Sequence, residues 1–184
     1  MKTLPWLLFA VMVLVQWAAP LHQVLQHEQV LAQGELVRFK CQAPDPFDPL
    51  RGRYLNVAVE NTTAPEADLK DLRENQEVYA EVKVGADGMA SFGRVTSTPP
   101  SEGLYLQCRL PGYIYSPVSL KLPFDRYYLN EDMAPAADAW LASVQRDRTK
   151  PTWVEVRLFQ GKAVIVDIKH DGQSVKDAIR TGVQ

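Results

Sequence analysis

From Leu4 to Leu21 the only polar side chain outside the aromatics is Gln16. A run of this kind leaves the chain few options. It is close to the roughly 17 to 25 residues that a helix needs to cross a bilayer, and in lipid only a helix satisfies its own backbone. Lys2 precedes the run, so retention of positive charge on the cytoplasmic side would send the rest of the chain outward. A cleaved signal is the alternative. A cut after Ala19, in the small pair Ala18-Ala19, would place bulky Trp17 three positions back and Pro20 immediately after, both poor for cleavage. An uncleaved, single-pass anchor is therefore expected.

Leu21, Val24, Leu25, Val30 and Leu31 prolong a partly apolar helical stripe as far as Gly34, a natural helix stop. Residues 1–33 then read as anchor and short stalk, and 34–184 as a domain outside the cytoplasm. His22 and His27 on the stalk are five residues apart, not the three or four that bring two ligands onto one helical face, and read as solvated.

With 46% hydrophobic and 23% charged residues the whole chain has the makeup of one folded domain plus the apolar run. Lys plus Arg number 20 and Asp plus Glu 22, scattered, so no basic stripe argues for nucleic acid and no cationic cluster follows the anchor.

Pro44, Pro46 and Pro49 fix their own φ and lack a backbone donor, so the segment leading to Gly52 is a stiff loop. Elsewhere a period of two dominates. Val37, Phe39 and Cys41 share one face, as do Leu55, Val57 and Val59 after the proline loop. Val78, Ala80, Val82 and Val84 alternate up to the turn Gly85-Ala86-Asp87-Gly88, which leads into Met89 to Val95. Leu104, Leu106, Cys108 and Leu110 alternate up to Pro111-Gly112, and Val118 to Leu122 follows. Trp153–Phe159 and Lys162–Ile168 form a hairpin about Gln160-Gly161. Helical spacing occurs at Met133, Ala137, Trp140, Leu141 and Val144, weakly at Leu69 and Leu72, and the residues from Ser174 read as a short helix or tail. About eight strands and one or two short helices predict a mainly antiparallel β domain, not a parallel βαβ fold.

Two stretches about 73 residues apart resemble each other. Arg53-Tyr54-Leu55-Asn56 answers Arg126-Tyr127-Tyr128-Leu129-Asn130, Ala64 to Asp68 answers Ala134 to Asp138, and Glu81-Val82-Lys83-Val84 answers Glu155-Val156-Arg157-Leu158. The order of these matches suggests related halves, 53–95 and 126–168. The competing explanation is that β hairpins look alike.

Cys41 and Cys108 both point with the apolar residues of their strands. Outside the cytoplasm they could pair, closing a long loop for about 4 kcal/mol, or remain buried thiols. With no neighbouring histidine and no C-x-x-C spacing they make no zinc site, and neither a metal nor a cofactor is expected.

Gly52-Arg53-Tyr54-Leu55-Asn56-Val57-Ala58-Val59 resembles the signature of the bacterial GDYXXLXY family of membrane-anchored proteins. Arg53 stands where the family has aspartate and Val59 where it has tyrosine. Asp45-Pro46 and Leu50-Arg51 resemble the lead-in to that signature. Phe124-Asp125-Arg126-Tyr127-Tyr128 with Glu131 resembles a second block, and Asp171-Gly172 a C-terminal turn. The resemblance covers most of the chain after the anchor and implies a protein of the bacterial cytoplasmic membrane with its domain in the periplasm. It implies no activity.

If the two blocks meet, Asp45, Asp48, Asp125 and Glu131 would face Arg51, Arg53 and Arg126 across a groove near Gly52, lined by Tyr54, Tyr127 and Tyr128. Such a groove could hold a polar ligand or a peptide, or the charges could form a structural network capping turns. No catalytic residues are assigned: the sole histidine of the folded part, His170, falls in the turn His170-Asp171-Gly172, and paired carboxylates need a fixed separation. The leading expectation is a domain that binds or scaffolds another membrane or envelope protein. An envelope hydrolase or small-ligand receptor built on the same Asp, Arg and Tyr groups is the alternative.

Overall fold

The computed structural model describes residues 3–42, 54–67, 72–113, 117–128 and 149–182, together with Ala136, Ala137, Trp140 and Val144. Helix α1 (Leu4–Gln33) begins at the apolar run and continues through Pro20. Its apolar side chains from Leu4 to Leu25 are largely exposed among the described residues. The helix is long and apolar enough to cross a membrane. It ends at Gly34, whose amide donates to the Val30 carbonyl at 2.9 Å.

Contact with the rest of the chain starts at the last turns. Val30 is buried, and the Arg157 guanidinium donates to the Gly34 carbonyl at 2.8 Å. With Gly34 alone between α1 and strand β1 (Glu35–Lys40), helix and sheet are joined without a linker.

The β region is mainly antiparallel, as the alternation predicts. One four-stranded sheet has the order β1, β10 (Thr152–Phe159), β11 (Lys162–His170) and β12 (Gln173–Ser174). The other has the order β4 (Glu66–Ala67), β6 (Ala90–Thr96), β5 (Glu77–Val84) and β7 (Tyr105–Arg109), with β4 parallel to β6. Two short ribbons join them: β2 (Tyr54–Asn56) with β9 (Arg126–Tyr128), and β3 (Thr63–Ala64) with β8 (Val118–Ser119).

Val37, Phe39, Val78, Ala80, Leu106 and Cys108 point inward as their alternation requires, and one core runs between the sheets. Phe39 of the first sheet stacks on Phe92 of the second at 5.3 Å and lies 6.0 Å from Phe124. Ala137, Trp140 and Val144 are helical and buried, the spacing read from the sequence. The suggested helix at Leu69 to Leu72 lies mostly outside the described residues. Val175–Gly182 forms helix α2 at the C-terminus.

Val154, Glu155 and Val156 of β10 are all buried, although β10 itself keeps its alternation. The register shift between Glu155 and Val156 places its one extra residue on β11. Val154 and Val156 oppose the buried Phe39 and Val37, whereas Glu155 opposes the exposed Arg38 on the other face of the sheet and is covered there by its neighbours. Its carboxylate is met by Arg38 and Lys169, each at 3.1 Å, so the burial is compensated. At the hairpin tip Gly161 has φ +79, and a Cβ there would meet the Tyr105 ring at 2.8 Å; both facts demand glycine. Its carbonyl accepts from the Gln107 amide at 2.9 Å, which ties the first sheet's hairpin to the edge of the second sheet.

Of the two outcomes open for Cys41 and Cys108, the structure shows buried free thiols and no disulfide between them. Facing the core was correctly read from each strand, but the strands lie in different sheets. Phe39 opposes Val154 across β1 and β10, and Leu106 opposes Ala80 across β7 and β5.

Candidate functional site

The two motif blocks meet. Strands β2 and β9 are antiparallel, with Tyr54 opposite Tyr128, Leu55 opposite Tyr127 and Asn56 opposite Arg126. The Val57 amide extends the contact by donating to the Asp125 carbonyl at 2.7 Å. Period two then sorts the side chains. Leu55 and Tyr127 turn to the core, whereas Tyr54, Asn56, Arg126 and Tyr128 share the outer face.

Burial pushes the Tyr127 phenol up to about 12, with Asp167 adding to the effect. Tyr127 therefore anchors the ribbon and does not line an outward groove, contrary to the expectation for all three tyrosines. Tyr128 is 67% exposed.

On the outer face the Tyr54 and Tyr128 rings lie 6.0 Å apart, and the Arg126 guanidinium carbon stands 5.0 Å from the centre of the Tyr54 ring. This is a cation over an aromatic face. A hydrogen bond with Tyr128, then the nearby Asp125 carboxylate at 3.7 Å, hold the Arg126 guanidinium above its ordinary pKa. The result is a short aromatic and cationic ladder open to solvent. Asp45, Asp48, Arg51, Gly52, Arg53 and Glu131, assigned to the same site from sequence, lie outside the described residues. His170 is structural: it is buried and shares a 2.9 Å hydrogen bond with the Thr152 hydroxyl across β10 and β11.

A concave feature lies elsewhere, without a counterpart in the sequence patterns. A cavity of about 470 Å³ lies where the end of α1 meets the sheets, lined by His27, Glu77, Arg109, Lys121 and Lys162 among others. These side chains come from five separate segments. The only signal in the sequence was His27, which read as a solvated stalk residue.

An antiparallel β protein preceded by an apolar helix, with its paired motif blocks forming an exposed ribbon, is the class this geometry defines. The family described as GDYXXLXY protein matches residues 16–168, and the chain belongs to that family. No curated protein and no solved structure matches it.

Proposed function

We propose that this is a membrane-anchored module whose β region lies outside the cytoplasm and binds or scaffolds another protein of the bacterial envelope through the Tyr54, Arg126 and Tyr128 face. The observation that carries the reading is the β2–β9 pairing, which places two tyrosines and an arginine side by side on an exposed surface. These residue types are enriched among those that dominate binding energy at interfaces. The buried Leu55 and Tyr127 hold the face from beneath. Crosslinking in native membranes followed by capture of the tagged full chain should recover a reproducible partner. The double variant Arg126→Ala, Tyr128→Ala should reduce its yield by about tenfold or more, since hot-spot truncations cost 2 kcal/mol and upward. Capture of abundant bystanders alone, or equal capture by the variant, would refute this role for the ribbon.

The same reading takes the ribbon as the meeting line of two related halves. Tyr54 and Tyr128 are paired with each other, and they are separated in sequence by as many residues as Glu81 and Glu155. Those glutamates sit beside register shifts of the same kind, in the β5–β6 and the β10–β11 hairpin respectively. The first strand of each hairpin is flanked on its other side by a strand from outside both stretches, β5 by β7 and β10 by β1. Amide hydrogen exchange should show a break in protection at the bulge of both hairpins; protection continuous through one of them would remove this support.

A further inference from the structure

We propose that the cavity between the end of α1 and the sheets binds the phosphate of an anionic phospholipid headgroup. The proposal rests on the reading of α1 as a membrane anchor. Arg109, Lys121 and Lys162 converge on the cavity, with His27 beside them, against a single carboxylate, Glu77. That carboxylate is already engaged, accepting from Arg109 at 3.4 Å and from Gln107 at 3.2 Å. Lys121 and Lys162 are exposed, and neither ammonium group has an ion-pair partner among the described residues. Two uncompensated cations in a concave site focus a field that attracts anions.

Height selects the anion. At about 1.5 Å per residue the run from Leu4 to Leu21 covers about 27 Å, close to the roughly 30 Å hydrocarbon core. Gln26 and His27, on the cavity wall, then stand about 7 to 9 Å farther along the axis, at the level of the headgroups. The β region cannot drift from that level, because Gly34 alone separates α1 from β1 and the buried Val30 fixes the helix against the sheet. Leu122 and Ala163 supply an apolar wall where the glycerol and the first acyl carbons would lie.

The test uses the full chain in micelles holding phosphatidylglycerol and phosphatidylcholine of identical acyl chains in equal amounts, with bound lipid counted by native mass spectrometry. Phosphatidylglycerol should be retained in about thirtyfold preference, as two lysines at an anionic headgroup imply. Lys121→Gln with Lys162→Gln should abolish the preference. Lys83→Gln with Lys176→Gln, which removes the same charge from exposed positions away from the cavity, should leave it intact. All four side chains are exposed, so the fold should tolerate both pairs.

Equal retention of the two lipids, or equal loss in both double variants, overturns the proposal. Displacement of the lipid by low-millimolar inorganic phosphate assigns the site to a free anion and overturns it as well. Carbonate extraction of native membranes separates the two failures. A chain released into the soluble fraction removes the anchor reading and this proposal together, whereas a chain that stays with the membrane but shows no lipid preference removes this proposal alone.

Discussion

Replacing Phe39 by alanine should destabilise the protein by about 3 to 5 kcal/mol, the usual cost of emptying a phenyl site in a packed core. Phe39 is only 1% exposed, and it is where the two sheets touch, through Phe92 on one side and Phe124 on the other. The loss combines removed burial with an unfilled space that two sheets joined by short ribbons cannot readily close. It is a large share of the about 5 to 15 kcal/mol by which a domain is stable. Urea unfolding of the full chain in detergent, followed by tryptophan fluorescence, should show the midpoint falling sharply. Phe39→Leu should cost far less, because most of the volume is kept. A loss below about 1 kcal/mol for the alanine variant would mean that the aromatic cluster does not bridge the sheets.

The second large effect is a loss of stability at alkaline pH. Burial raises the thiols of Cys41 and Cys108 to about 12, Cys41 with a further contribution from the Glu60 carboxylate, against an ordinary value of 9.0. An unfolded chain loses these protons near pH 9 while the folded chain keeps them. The stabilisation is therefore fully present below about pH 9 and is lost as pH climbs to about 12. Each thiol adds a limiting slope of about 1.4 kcal/mol per pH unit in that window. Tyr127, shifted from 10.0 to about 12 chiefly by burial, joins from pH 10 upward. Unfolding titrations between pH 7 and 11 should show the decline, and the Cys41→Ala, Cys108→Ala double variant should flatten the part that begins near pH 9. An unchanged slope in that variant would exclude the thiols as its cause. The same burial should keep both cysteines slow toward a thiol reagent at pH 8 until the protein unfolds.

Much of the fold was legible because it rests on local patterning. The β10–β11 hairpin follows from two alternating runs around Gln160-Gly161, and Ala137, Trp140 and Val144 declare a helical face. Strands β3 and β4, two residues each, have no period to read and exist only because a partner passes nearby. The burial of Glu155 was likewise invisible, since it depends on Arg38 and Lys169 meeting its carboxylate from the two neighbouring strands. The cysteines mark the limit of facing arguments. Sequence can show that two residues both look inward, but not that they look inward from different sheets.

The candidate site divides in the same way. The likeness of the two blocks suggested that they meet, and they do, but which tyrosines face solvent depended on Tyr54 falling opposite Tyr128. The cavity beside α1 had no linear signature, because Arg109, Lys121 and Lys162 are spread along the chain.

Sequence by itself determined what local chemistry dictates: a helix from Leu4 to Gln33, a β-rich remainder, and two arginine-tyrosine blocks within a known family. Tertiary structure alone decided the pairing of those blocks, the unpaired state of the cysteines and the gathering of cations next to the helix end. Each of these depends on strand register and sheet membership, which long-range packing sets. A shift of one residue in register would have turned Tyr127 outward and Tyr128 into the core.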